Sequence, residues 1–92
     1  MPRNRKETES ALLGKGFQPR PGDHNYFIYW SLDGKKTIAK TKTSHSGKDI
    51  TDDLLAQMAR QCKLTKPLLL QLIDCPMKRE DYEGHLQKLG WL

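Results

Sequence analysis

The hydrophobic pattern is most strand-like in the middle of the chain. Residues 25–32 read NYFIYWSL, an aromatic and β-branched run, and residues 35–43 read KKTIAKTKT. Asp33-Gly34 lies between the two runs, and this dipeptide favours a two-residue type I′ turn. The pattern therefore predicts an antiparallel hairpin.

A two-residue loop would fix which side chains share a face of the sheet. It would place Tyr29 opposite Ile38 and Ile28 opposite Ala39, so that Phe27, Tyr29 and Ile38 lie on one face. The other face would carry His24, Tyr26, Ile28, Trp30 and Ala39. Both faces are apolar, and periodicity alone does not decide which one meets the helices.

Apolar residues at helical spacing predict the remaining elements. A short helix over residues 7–13 ends at Gly14 or Gly16, and Gly16 suits a left-handed C-terminal cap. Phe17-Gln18 adds a short first strand, whereas the two prolines in residues 18–23 indicate a turn. Asp49 or Thr51 caps a helix with the stripe Leu54, Leu55, Met58, Ala59 and Cys62. Thr65 caps the next helix, and a last one runs over residues 79–89.

The predicted fold class is α+β, a three-stranded antiparallel sheet with helices on one face. Residues 1–92 form one domain, since 92 residues are too few for a second core. Residues 66–92 form a C-terminal helical extension with too many apolar side chains for a solvated tail. We expect it to pack on the domain or to form a homodimer interface.

Charge is unevenly distributed. The formal net charge is +5, and no acid occurs between Asp33 and Asp49. That interval contains Lys35, Lys36, Lys40, Lys42 and Lys48. One interpretation is a solvated edge strand protected against aggregation; the other is a surface that binds a polyanion such as nucleic acid.

Other features limit the classes of function. Cys62 and Cys75 are too far apart for a C-x-x-C site, and with three scattered histidines they form no recognisable metal site. We therefore expect no cofactor. No apolar run approaches the roughly 20 residues that cross a bilayer, so we expect no membrane association and a cytoplasmic location.

A string of short motifs in this order resembles the HicA toxins, small ribonucleases of toxin–antitoxin pairs. The family's Gly-Ser-His before an aromatic strand is similar to GDH at residues 22–24, with Phe27 at the aromatic position. The other matches are GF at 16–17, DG at 33–34, TI at 37–38 and HSGKDI at 45–50. The chain differs in Asp23 for serine, in extra residues at 41–44 and in the helices after residue 65.

The resemblance implies a fold like the double-stranded-RNA-binding domain (dsRBD) and a metal-independent endoribonuclease that cleaves mRNA. Its partners would be RNA and a HicB-like antitoxin that blocks the catalytic face. The family's catalytic histidine corresponds to His24. Phe27 and Ile38 would lie on the core face, and the C-terminal helices would cover part of the opposite face, where Trp30 lies.

RNA cleavage needs few protein groups, because RNA carries its own nucleophile, the 2′-hydroxyl. Histidine suits proton transfer near neutral pH, so His24 would act as general base or acid. Lys40, Lys42 and Lys48 would hold phosphates, and the loop at His45 could bind phosphate through backbone N–H groups.

Each of these assignments has a structural alternative. His24 could be a turn histidine that bonds the backbone, and His45 could lie in a plain connection. Tyr26 and Trp30 could stack on bases or be buried. The chain as a whole could be a non-catalytic RNA-binding module or a protein-interaction domain with a basic strand.

Overall fold

A computed structural model describes residues 3–43, 47–74 and 76–91 of the chain. These residues form an α+β fold with a three-stranded antiparallel sheet and four helices. In chain order the elements are β1 Arg3–Asn4, α1 Arg5–Gly14, β2 Phe17–Arg20, β3 Asn25–Trp30, β4 Lys36–Thr43, β5 Asp49–Ile50, α2 Asp52–Gln61, α3 Lys66–Asp74 and α4 Arg79–Lys88. The predicted class and the antiparallel sheet are confirmed.

The sheet has the order β2-β3-β4, so the aromatic strand β3 is central. Strand β2 extends to Arg20 and includes Pro19, which pairs with Phe27. The predicted turn over residues 18–23 was therefore wrong in its first half. An edge strand can accept a proline because one of its sides makes no ladder hydrogen bonds.

The hairpin between β3 and β4 forms, but the predicted type I′ turn was wrong. The Ser31 N–H donates to the Lys35 carbonyl at 2.8 Å, and Gly34 N–H donates to the Ser31 carbonyl at 2.9 Å. Gly34 has φ +83°, while Asp33 does not have positive φ. A type I′ turn needs positive φ at both central residues, so the loop is instead the three-residue form with a left-handed glycine at its end.

The longer loop and a bulge change the strand register. Trp30 pairs with Lys36, and Ile28 pairs with Lys40, with an irregularity between the two pairs. As a result Ala39 is buried, whereas Ile38 is 57% exposed. The predicted faces of these two residues were therefore wrong, although Phe27 and Tyr29 do lie in the core as expected.

The core lies between the sheet and the helices. Helix α2 begins at the predicted cap Thr51, whose hydroxyl accepts from the Leu54 N–H at 3.3 Å. Leu54 is 44% exposed, so the predicted apolar stripe of this helix is not buried along its whole length. The side chains that form the core include Leu12, Phe17, Phe27, Tyr29, Leu55, Met58, Cys62, Leu69, Leu72, Tyr82 and Leu86.

The C-terminal extension packs on the domain, which was the first of the two alternatives expected for it. The Tyr82 ring of α4 stacks on Phe17 at 5.6 Å and meets Tyr29 edge-on at 4.9 Å between centroids. Both partners belong to the core face, so α4 lies on that face. Helix α4 therefore does not supply the expected partial cover of the face of Trp30. That face, called here the open face, is half-exposed at Tyr26 and Trp30, although Ile28 is buried.

Buried polar contacts hold α4 against β3 and the hairpin loop. The Tyr29 hydroxyl donates to Glu83 Oε1 at 2.8 Å, and the Leu32 N–H donates to the same oxygen at 2.7 Å. The Tyr82 hydroxyl donates to the Cys62 carbonyl at 2.7 Å. A buried carboxylate is tolerable only when it is hydrogen-bonded, and Glu83 meets that condition.

A two-stranded sheet that the sequence pattern did not predict joins the start of the chain to the start of α2. Arg3 of β1 pairs with Ile50 of β5, and Asn4 pairs with Asp49. Asn4 also caps α1 by accepting from the Glu7 N–H at 2.9 Å. Within the described residues, none of the helices has the length and apolar character needed to cross a bilayer.

Candidate nucleic-acid site

His24 lies immediately before β3, at one end of the sheet. Its neighbour Asn25 pairs with Thr43, the last residue of β4. A cavity of about 190 Å³ opens at this end, and both His24 and Lys42 line it. The structure therefore brings the predicted catalytic residue together with one of the predicted phosphate-binding lysines.

A carboxylate on α1 fixes this end of the sheet. Glu9 accepts from Asn25 Nδ2 at 3.5 Å and from the Thr43 hydroxyl at 2.5 Å. Arg5 pairs with Glu9 at 3.1 Å, and both side chains are largely buried. Because Asn25 directly follows His24, this network restrains the backbone that carries the imidazole.

Tyr26 connects the groups around His24. Its hydroxyl donates to Asp23 Oδ1 at 2.7 Å, and its ring lies edge-on to the His24 ring at 6.2 Å. The Lys40 ammonium lies over the ring at 5.1 Å from the centroid. One side chain thus contacts a carboxylate, an imidazole and an ammonium group, and Lys40 lies over one face of its ring.

Asp23 remains ionised at neutral pH. The hydrogen bond from Tyr26 lowers the pKa of the Asp23 carboxyl below its ordinary value of 3.8, and the positive charge of Lys42 acts in the same direction. Partial desolvation opposes these effects without cancelling them. The carboxylate that stands where the HicA pattern has serine is thus bound to Tyr26.

Gly22 has a different role from the one its place in a turn suggests. Its φ is not in the left-handed region, but a Cβ at this position would lie 3.1 Å from a ring carbon of Tyr26. A larger residue here would therefore require the Tyr26 ring to shift by a few tenths of an ångström. The motif GDH at residues 22–24 and Tyr26 form one packed unit.

The lysines of β4 lie on the open face. Along this strand buried and exposed positions alternate, and Lys36, Ile38, Lys40 and Lys42 are exposed. A shallow groove at the β4 edge is lined by Tyr26, Lys40 and Lys42 together with Lys63. The pattern gives a strip of positive charge that runs from the hairpin to the His24 end of the sheet.

The remaining predicted site residues are less closely associated. Lys48 is exposed, and it directly precedes Asp49, which lines the cavity. His45 lies outside the described residues. Trp30 is half-buried on the open face, beside its strand partner Lys36.

Sequence reasoning missed Lys63. This residue follows the C-terminus of α2 with φ +64°, and its ammonium lies 4.7 Å from the centroid of the Trp91 ring. Its closeness to Lys40 arises from tertiary packing, because α2 lies along β4. A local motif could not have indicated it.

Within residues 3–43, 47–74 and 76–91, no group of three His, Cys, Asp or Glu side chains is placed to hold a metal ion. The protein is thus a small α+β domain with a lysine strip on an open sheet face and a histidine at one end of that strip. Comparisons with protein-family models, with curated proteins and with solved structures find no match to this chain.

Proposed function

We propose that this protein is an RNA-cleaving enzyme of the HicA type with a dsRBD-like fold, in which His24 performs proton transfer. The observation that carries the proposal is the position of His24. It is half-buried beside Lys42, at the end of the exposed lysine strip. An imidazole for proton transfer and an ammonium for the phosphate charge are thus present at one cavity.

The lysine strip supports a polyanionic ligand. Lys36, Lys40 and Lys42 project from the same face of β4. Lys36 and Lys40 are four residues apart and Lys40 and Lys42 are two apart, in a strand that rises about 3.3 Å per residue. Lys40 and Lys42 are therefore about 6.6 Å apart along the strand, close enough for their ammonium groups to contact two neighbouring phosphates of one nucleic-acid strand. The positive charges also favour a path of the RNA strand along β4 that passes His24.

The chemistry requires only groups that lie at this end of the sheet. His24 accepts the proton of a ribose 2′-hydroxyl, and the oxygen attacks the adjacent phosphorus. The bond from phosphorus to the 5′-oxygen breaks, and that oxygen takes a proton from water. Lys42 stabilises the negative charge that develops on the phosphate oxygens. The products are a 2′,3′-cyclic phosphate and a 5′-hydroxyl end.

A HicB-like antitoxin is the partner that this proposal implies. The open face would suit it, because Ile38 is 57% exposed and Trp30 is half-buried there. An inhibitor on this face would exclude RNA from the lysine strip. Coexpression with an inhibitory neighbouring gene product should protect cellular RNA; unprotected RNA despite a stable complex would argue against this face as the interface.

Induced expression tests the function in cells. Total RNA should be degraded after expression of the wild-type chain and remain intact with His24→Ala. His85→Ala is the matched control: this histidine lies in α4 and does not line the cavity that His24 lines, so its loss should leave degradation unchanged. Intact RNA with well-folded wild type would instead favour the non-catalytic RNA-binding module.

A further inference from the structure

The cavity beside His24 has an apolar wall that the catalytic proposal does not use. Ile50, Leu54 and Met58 line it from β5 and α2. Leu54 is 44% exposed although it belongs to an amphipathic helix. A ligand that covered this side chain would remove apolar surface from water, which is favourable.

Two amides complete the α2 side of the cavity. Gln57 and Gln61 line it one helical turn apart. The Thr41 hydroxyl donates to Gln61 Oε1 at 2.8 Å, which fixes the orientation of this amide and leaves its Nε2 donors for a ligand. Asp49 lines the same cavity and contributes a hydrogen-bond acceptor.

Away from His24 and Lys42, the charges in the cavity do not favour a phosphate. Arg5 also lines it, but its guanidinium is bound to Glu9 at 3.1 Å and to the Gly47 carbonyl at 2.8 Å. Asp49 would repel an anion. A neutral group with an apolar face, donors and acceptors fits this lining better, and the volume of about 190 Å³ is below the roughly 300–1,000 Å³ of pockets that hold drug-sized ligands.

We propose that this cavity binds one unpaired nucleobase of the RNA, and so contributes to substrate selection. That the base belongs to RNA rests on the proposed function. The base contacts Leu54 and Met58 with its face, and its edge bonds to Gln57 and Gln61, the mode by which proteins read single-stranded bases. Its ribose and phosphate then lie at the His24 and Lys42 end of the cavity.

Amide NMR of the full chain tests the inference with neutral probes. The four ribonucleosides, which lack a phosphate, are titrated separately, with ribose and inorganic phosphate as comparison ligands. At least one nucleoside should shift the side-chain amide signals of Gln57 and Gln61 saturably, and the comparison ligands should not. Phosphate that saturates the same signals, or no saturable shift with any nucleoside, would overturn the inference.

Variants locate the bound nucleoside. Gln57→Ala should weaken its binding about 3–10-fold, as expected for the loss of one neutral hydrogen bond, and Leu54→Trp should fill the cavity and abolish binding. Both positions are exposed, so the fold should tolerate the changes. Gln71→Ala, an exposed glutamine of α3, is the matched control. Equal affinity in Gln57→Ala, Leu54→Trp and Gln71→Ala would overturn the assignment.

The result is separable from the proposed function. Nucleoside binding by a protein that does not cleave RNA would support the base site and contradict the enzymatic proposal. Cleavage dependent on His24 without any nucleoside binding would contradict the base site alone.

Discussion

Tyr29→Phe removes one hydroxyl from the core without removing apolar volume. The hydroxyl is fully buried, and it donates at 2.8 Å to Glu83, a carboxylate that is 8% exposed. Burial together with this bond raises the pKa of Tyr29 to about 12, so the phenol is a neutral donor at pH 7. A hydrogen bond to a charged group contributes about 1.5–3 kcal/mol, and we expect a loss of that size.

Tyr82→Phe is the matched control for this change. Tyr82 is equally buried, but its hydroxyl donates to a neutral acceptor, the Cys62 carbonyl, at 2.7 Å. A neutral hydrogen bond contributes only about 0.5–1.5 kcal/mol. The charge on Glu83 is therefore the difference between the two variants, and replacing it by glutamine should reduce the cost of Tyr29→Phe to the neutral range.

Urea unfolding at pH 7 measures these free energies of unfolding, with an unchanged m-value as the sign that the folded state keeps its compactness. The four proteins of the Tyr29 and Glu83 cycle give the coupling directly. The reasoning is refuted if Tyr29→Phe costs no more than Tyr82→Phe, or if Glu83→Gln leaves the cost of Tyr29→Phe unchanged. The contact matters for function because it helps to keep α4 on the core face and the open face uncovered.

Three further predictions concern the core, the response to alkali and the lysine strip. Leu72→Ala should lower the free energy of unfolding by about 2–5 kcal/mol in urea because Leu72 is fully buried, whereas Leu89→Ala should stay within about 0.5 kcal/mol; equal costs would contradict the packing of α3. Burial raises the pKa of Cys62 from 9.0 to about 12, so its stabilising contribution is complete below pH 9 and is lost as the pH rises towards 12. The fall in stability over this range should be less steep in Cys62→Ala, and equal slopes would contradict a buried thiol. Lys40→Gln and Lys42→Gln should each reduce the salt dependence of binding to single-stranded RNA by about 0.7 in slope; an unchanged slope would remove that lysine from the interface.

The hairpin shows both the reach and the limit of local sequence signals. Asp33-Gly34 correctly placed the turn, because a glycine with positive φ is needed there. The loop length depended on Ser31, whose hydroxyl bonds both Asp33 and the Lys35 N–H. Serine occurs in strands and in loops, so Ser31 did not indicate the longer loop. The resulting register shift placed Ile38 on the surface instead of in the core.

The packing of the extension was only half predictable. The number of apolar residues after residue 65 required burial somewhere, and the helices did pack on the domain. The sheet face on which α4 packs depends on the contact of Tyr82 with Phe17 and Tyr29, which joins residues far apart in sequence. Both faces of β3 carry large side chains, so periodicity could not separate them.

The candidate site was predictable where it follows one strand. Lys40 and Lys42 are two residues apart on β4, and alternation places them on the same face. The meeting of His24 with Lys42 follows from the pairing of Tyr26 with Lys42. The cavity wall formed by α2 depends on helix packing, and the exposure of Leu54 had no signal in the apolar stripe to which it belongs.

The central claim is that His24 performs proton transfer in RNA cleavage. The direct measurement is cleavage of a structured RNA by purified protein at fixed salt, with a chelator present, for wild type and His24→Ala. If His24 transfers the proton, cleavage should fall by about 100-fold or more in the variant, with RNA affinity and thermal midpoint unchanged, because the lysines bind the RNA and a half-buried turn residue contributes little to folding. Undiminished cleavage by His24→Ala, or no cleavage by well-folded wild type, would contradict it.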